Sequence, residues 1–332
     1  MTDAVGNGHT GVRLRAGVLS LVVSIVLLAA KYQAYRLTGS TAILSDALES
    51  IVNVVAAVFA IGALIFAGRP ADRNHPYGHG KMEFLSAAFE GGLIAFAALV
   101  ILYEVVQSLT HGVALRALDL GLAIVLGAGL VNLALGYYLV RTGRRYESLT
   151  LVADGRHVLA DFYTSAGIVV GLLLVRFTGL VWLDPLVAAV VALNLMWTGF
   201  RLIRQASAGL LDEEDSALLD RLLTVLQPHL GQGVIRIHHL RAIRAGRFHH
   251  VDAHLVVPEF WSVERSHELA EQLGDRVMKE LGVEGEMTLH TDPCHRVYCA
   301  MCDLDDCPVR REAFRGRPPL NLDEAVQPDM PR

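Results

Sequence analysis

The run ADGRHVLAD, residues 153–161, sets Asp154, His157 and Asp161 at spacings of three and four. On a helix those spacings share one face. SDALESIVN, residues 45–53, repeats the arrangement with Asp46, Glu49 and Asn53. Both runs lie inside long apolar stretches, where each charge costs about 2.5–3.5 kcal/mol at a helix centre and needs a compensating partner. Two carboxylates, an amide oxygen and an imidazole make a four-ligand N/O set for a divalent transition metal: Glu49, Asn53, His157 and Asp161. Asp46 and Asp154 fall nearest the span ends, and Arg156 is placed to snorkel, so these three are read as supporting rather than ligating residues. Interhelical hydrogen bonds between an Asp and an Asn, or a proton relay without metal, remain the alternatives at this level.

Two further groups carry metal-binding side chains. RPADRNHPYGHGKMEF, residues 69–84, holds Asp72, His75 and His79 around Pro76 and Gly78, a turn that brings them together or merely tolerates histidine. Between 238 and 292 lie His238, His249, His250, His254, His267 and His290, with Asp292 two residues after His290. Beyond them come Cys294, Cys299, Cys302 and Cys307, within 14 residues. Cysteines so clustered in a reducing compartment fit a tetrathiolate metal site better than a disulfide framework, although the spacing is not a common zinc-finger pattern.

The elements that must position these residues follow from the apolar pattern. Of 332 residues, 53% are hydrophobic and 19% charged, with mean hydropathy +0.40. Six stretches are long enough to cross a bilayer: roughly 14–35, 41–67, 84–110, 118–140, 149–175 and 181–204. The first resembles a signal peptide only superficially, because five more spans follow. Lysine and arginine put Arg13, Arg15, Arg69, Arg73, Lys81, Arg141, Arg144, Arg145, Arg201 and Arg204 on one side, against Lys31, Arg36, Arg116 and Arg176, ten to four. Both termini and the histidine loop are therefore expected in the cytoplasm of a multi-pass inner-membrane protein. A net charge of −5 offers no argument for nucleic acid. No HExxH, GxSxG or Walker sequence is present, so an enzyme is not expected.

After residue 205 the periodicity becomes that of a soluble domain: helix 212–228, strands 234–244 and 247–258, helix 263–281 capped by Ser262, and strand 285–292. That α-β-β-α-β order predicts a small open-faced sandwich. Domains are expected at 1–207, 208–293 and 294–332, the last with a proline-rich 315–332 tail read as disordered.

TGSTAILSDALES, DRNHPYGHGKMEF, ADGRHVLAD, WLDP and HTDP together resemble the cation diffusion facilitator family over about residues 12–293. The resemblance implies a homodimer of six-transmembrane-helix bundles, each with a cytoplasmic ferredoxin-like α+β domain, exporting zinc or a related divalent cation against protons. It implies that Glu49, Asn53, His157 and Asp161 form the transport site. Asp72, His75 and His79 would form the loop site, and His238, His254, His267, His290 and Asp292 the cytoplasmic dimer site, with metal acting as both substrate and regulator. Lys81 would pair with Asp212. Zinc members usually carry DxxxD or HxxxD where this chain has Glu49 and Asn53; this departure removes one formal charge and leaves iron, manganese, cobalt and nickel open beside zinc. A membrane-bound metal sensor and a metal channel are the competing functions.

Overall fold

The computed structural model describes residues 3–112, 115–145, 149–246 and 248–328. It divides into two compact units, one running to Ile65 and over Leu85–Ser207, the other comprising Phe66–Phe84 and the chain from Ala208 onward.

The first unit holds six long helices: α1 (Asp3–Thr38), α2 (Thr41–Ala67), α3 (Met82–His111), α4 (Leu118–Arg145), α5 (Leu149–Thr178) and α6 (Leu183–Leu210). Each is long and apolar enough to span a bilayer. Arg141, Arg144 and Arg145, expected in a loop, are instead the end of α4, and residues 146–148 lie outside the described residues. Lys31, counted above with the loop charges, is buried inside the bundle against Asp46. It lies on the same α1 stripe as Leu27, Ala34 and Thr38, all buried, and the helix runs on past it to Thr38. The orientation count therefore becomes ten to three.

Two devices set the register of the helices that carry the polar runs. Asp184, at the head of α6, accepts hydrogen bonds from Ser40 Oγ (2.5 Å), Thr41 N (2.7 Å) and Ala42 N (3.4 Å), so its carboxylate satisfies the free N–H groups that open α2. Gly136 of α4 lies close against the backbone of Gly155 of α5; a Cβ on Gly155 would stand 2.7 Å from Val140 N and 2.9 Å from Gly136 O. Such small-residue contacts let helices approach closely where lipid offers no hydrophobic drive to associate.

In the second unit, α7 (Ser216–Leu226), β1 (Arg236–Ala245), β2 (Phe248–Val257), α8 (Val263–Leu281) and β3 (Glu284–Pro293) follow in the expected order, and α9 (Leu322–Ala325) ends the described chain. The three-stranded sheet has the order β1-β2-β3, with β1–β2 antiparallel and β2–β3 parallel across α8, a ferredoxin-like arrangement. Ser262 caps α8 through Arg265 N, and Gly282 closes it at φ +69°, a conformation that favours glycine. Ile237, Leu240, Val251, Ala253, Leu255 and Val257 form the core beneath α7 and α8.

The opposite face is only partly open. Tyr298 and Cys302 pack there on Ile235 and Val256. The proline-rich tail is not disordered over its described residues. Leu320 and Ala325 enter the main core, Arg236 pairs with Glu324 and donates to the Pro318 (2.7 Å) and Pro319 (3.2 Å) carbonyls, and His239 N donates to Gln327 O. Two apolar side chains and one arginine hold a segment too short and too proline-rich to show any period.

Candidate metal centres

In the membrane unit the two polar runs meet. Asn53 Nδ2 donates to Asp161 Oδ2 at 2.5 Å, which fixes the amide's orientation and leaves Asn53 Oδ1 facing His157 Nε2 at 2.9 Å. An amide oxygen cannot donate, so this contact places the imidazole proton on Nε2. His157 Nε2 lies 3.9 Å from Asp161 Oδ1, and Glu49 is in hydrogen-bonding contact with Asp161. Glu49, Asn53, His157 and Asp161 line one cavity of about 50 Å³, completed by Thr164 and by Asn194 and Thr198 of α6. Glu49 Oε2 and Asp161 Oδ1 are buried there without a hydrogen-bond partner. Buried carboxylate oxygens normally have partners, and two orphans on residues that line one cavity, otherwise walled by Val52, Ile94, Ala97 and Leu195, suit a cation.

A second layer supports them. Lys31 Nζ donates to Asp46 Oδ1 at 2.8 Å, and Ser165 Oγ donates to the same oxygen at 2.8 Å. Asp154 is hydrogen-bonded to Ser20 of α1. Glu90 of α3 and Asp154 both act electrostatically on His157. Neither Glu90 nor Asn194 nor Thr198 carries a sequence motif. The available signal for Glu90 is its stripe: Ser86, Ile94, Ala97 and Ile101, at helical spacing from it, are all buried.

In the second unit, the 66–84 segment folds around Asp72. Its Oδ1 accepts from Asn74 N (2.8 Å) and His75 N (2.7 Å) and lies 3.1 Å from His75 Nδ1; its Oδ2 lies 3.3 Å from His79 Nε2. The His75 backbone N–H holds the Asp72 carboxyl below its ordinary value. His79 is buried with Nδ1 unpartnered, its ring against the edge of Phe66. Lys81 Nζ donates to Asp212 Oδ2 at 2.8 Å, and Tyr77 meets His250 edge-on at 5.1 Å.

The sheet register aligns His238, His254 and His290 as one row across all three strands. Asp292 joins them: Oδ2 lies 3.1 Å from His238 Nε2 and 2.9 Å from His254 Nδ1, and Oδ1 3.3 Å from His290 Nε2. His238 Nδ1 is buried and unpartnered. A residue not singled out from sequence, His239, adopts φ +50° at the β1 irregularity and brings Nδ1 to 3.3 Å from His254 Nε2. His267 is not in this group; it sits on α8, over the other face of the sheet, 3.4 Å from Glu271. His249 contacts Glu284 O, and His250 pairs with Glu286 at 2.8 Å, so both stand apart.

The family model described as cation efflux transmembrane domain matches residues 17–211, and that described as cation efflux protein, cytoplasmic domain, matches residues 215–294. The chain belongs to the cation diffusion facilitator family. Its relatives include the Synechocystis protein named uncharacterized transporter sll1263, 38% identical over 83% of this chain and 89% of the relative. The cation-efflux pump FieF of Shewanella oneidensis is 27% identical over 82% of this chain and 92% of the relative. The manganese efflux system protein MneP of Bacillus subtilis is 23% identical over 84% of this chain and 95% of the relative. As a member of this family of transporters, the chain is a multi-pass membrane protein for divalent metal cation efflux.

Proposed function

We propose that the chain exports a divalent transition metal, zinc foremost, from the cytosol across the cytoplasmic membrane in exchange for protons, working as a homodimer with both termini cytoplasmic. The observation that carries this reading is the cavity in which Glu49 and Asp161 present orphaned oxygens beside Asn53 and His157. A neutral imidazole and carboxylates in a mixed N/O set suit zinc and its neighbours. Metal and proton compete there directly. The Nε2 proton that His157 gives to Asn53 must shift to Nδ1 before Nε2 of the neutral ring can ligate, a move that releases nothing, whereas the touching Glu49 and Asp161 carboxyls hold a cation or a proton between them, not neither. Each metal that enters thus expels the proton shared by the carboxyls into whichever side the cavity faces.

The other two centres are proposed as regulatory. Asp72, His75 and His79 would take cytosolic metal at the loop. His238, His254, His290 and Asp292 would take it at the sheet, with His267 able to join only from a second copy, because α8 covers the opposite face. Metal held between two copies would bias an equilibrium between conformations.

The test is metal-resolved uptake into inverted vesicles with zinc, iron, manganese, cobalt and nickel in parallel, at fixed membrane potential. The expected result is saturable uphill uptake that collapses when the pH gradient is dissipated. Flux that only follows the metal gradient would make the protein a channel, and metal binding without flux would make it a sensor.

A further inference from the structure

The four cysteines lie outside both matched family domains apart from Cys294, at the last matched position, and take no part in the transport reading. In the structure they come together. Cys294, Cys299, Cys302 and Cys307 all line a single cavity of about 10 Å³, room for one small occupant. All four are free thiols, and Cys299 and Cys302 are buried.

We propose that these four cysteines form a tetrathiolate site for one thiophilic divalent cation, zinc in the cell, which clamps the C-terminal segment onto the open face of the sheet beside the histidine row. Three independent features of the segment support it.

The backbone is already wound for ligation. Cys299 N donates to Arg296 O, and Met301 N and Cys302 N both donate to Tyr298 O, so one tight turn carries both Cys299 and Cys302. Arg311 N points at Cys299 Sγ, at 3.5 Å. Cys294 is anchored separately, its N–H donating to Val257 O at 2.8 Å where β2 ends.

The surrounding charge suits a thiolate cluster. A divalent cation with four thiolates carries a net charge of −2, and binding releases up to four protons from the thiols to solvent. Arg296 and Arg310 line the same cavity. The Arg310 guanidinium donates to the carbonyls of Cys299 (3.3 Å), Cys302 (3.1 Å) and Leu304, which ties three points of the loop to one cation.

The third feature is placement. Cys302 and Tyr298 pack on Ile235 and Val256, and Cys294 borders the same cluster, two residues beyond Asp292. Ordering this loop orders the end of β3, which carries Asp292. Among the described residues, only the Asp72–His75–His79 and His238–His254–Asp292 groups have all their ligand atoms within 4.8 Å of one another. The sulfurs share a cavity rather than a point, so the loop tightens on binding until each sulfur stands about 2.3 Å from the metal.

The experiment uses the full chain, purified in detergent, reduced and stripped by chelator, with Co2+ as the probe. Sulfur ligation alone produces an intense thiolate-to-cobalt charge-transfer band together with tetrahedral visible absorption. We expect that signature to saturate at one cobalt per chain and to be bleached by Zn2+. It should persist in Asp161→Ala and in the His254→Ala/His290→Ala protein, and vanish in Cys299→Ser/Cys302→Ser. Cys307→Ser, which changes a less buried thiol, should keep a weaker, shifted band. A readout that needs no variant is the count of thiols reactive toward a disulfide reagent in the wild-type protein, which should fall by four when Zn2+ is added. Four thiols equally reactive with and without Zn2+, or a charge-transfer band that survives Cys299→Ser/Cys302→Ser, overturns the proposal.

Discussion

Lys31 Nζ of α1 lies 2.8 Å from Asp46 Oδ1 of α2, and both side chains are closed to solvent, 1% and 0% exposed. Asp46 sits one helical turn before Glu49, and Ser165, which also bonds its Oδ1, sits one turn after Asp161. The pair thus joins three helices directly behind the transport cavity. Removing one partner of a buried ion pair leaves an uncompensated charge, at a cost of about 3–5 kcal/mol. Lys31→Met should lower the melting temperature and the yield of folded protein. Lys31→Met with Asp46→Leu should recover most of that loss. Thermal unfolding in detergent reads both; equal stability of Lys31→Met and wild type would show that the pair holds nothing.

The amide of Asn53 bridges Asp161 and His157, so it organises the cavity as well as lining it. Asn53→Asp replaces a donor to Asp161 with a second carboxylate and adds a negative charge. The variant should still transport, with affinity for divalent cations raised on the order of tenfold, about 1.4 kcal/mol, and with a changed ranking among zinc, manganese and iron. Asp161→Ala should abolish flux in a protein that still inserts and dimerises. An unchanged metal ranking in Asn53→Asp would remove Asn53 from the ligand set, and normal flux in folded Asp161→Ala would remove the site.

How much of this was legible depended on how far each residue's partner lay along the chain. Local periodicity carried the six spans, the α8 limits and the Ser262 cap, because those signals lie within a few residues of one another. The row of His238, His254 and His290 needs strand register, which residues 16 and 36 apart do not reveal by themselves. Lys31 misled because a lysine near the end of an apolar run looks like a loop charge until the buried stripe of Leu27, Ala34 and Thr38 is followed through it. Glu90 hid for the same reason. Asp184 appeared only as part of WLDP, and its role as a cap for α2 depends on a helix 143 residues away.

At the sheet, His254 and His290 each contact Asp292, and His254 also meets His238 and His239. Replacing both with Ala should weaken metal binding at this centre by at least the roughly 10–100-fold that losing a supporting partner alone costs. The full-length double variant should keep transport at saturating metal but need more metal to reach it. Calorimetry on the purified protein gives the check: unaltered stoichiometry and affinity would assign these histidines to the surface rather than to a centre.

Glu259, just after β2, forms a two-pronged ion pair with Arg296, at 2.7 and 2.8 Å. The Arg296 hydrogen bonds hold the Glu259 carboxyl below its ordinary 4.5. A carboxyl depressed in the folded state stabilises the fold above its unfolded value and loses that contribution as pH falls through the folded one. Wild type should therefore melt above Glu259→Gln at neutral pH, with the gap closing only below pH 4.5. The pair is solvent-exposed, so the gap should be small and should shrink in high salt. A gap that grows on acidification would contradict the assignment.

Gly155 sits inside ADGRHVLAD two residues before His157, with its Cα against the backbone of α4. A Cβ there would meet Val140 N at 2.7 Å and Gly136 O at 2.9 Å, distances that no rotamer change can relieve because the obstacles are main-chain atoms. Even Gly155→Ala must push α5 away from α4, at a cost of about 1–3 kcal/mol for overpacking. It must also carry His157 and Asp161 off the Asn53 bridge, since they ride on the same helix. Gly167 on α5 is the control: a Cβ there meets nothing within 4 Å, and alanine is the better helix former. Gly167→Ala should match or exceed wild type in thermal stability and transport normally. Gly155→Ala should melt lower and lose most of its flux, and Gly155→Val should lose more of both. If Gly155→Ala transports like Gly167→Ala, then close contact between α4 and α5 is not what holds His157 and Asp161 in register with α2.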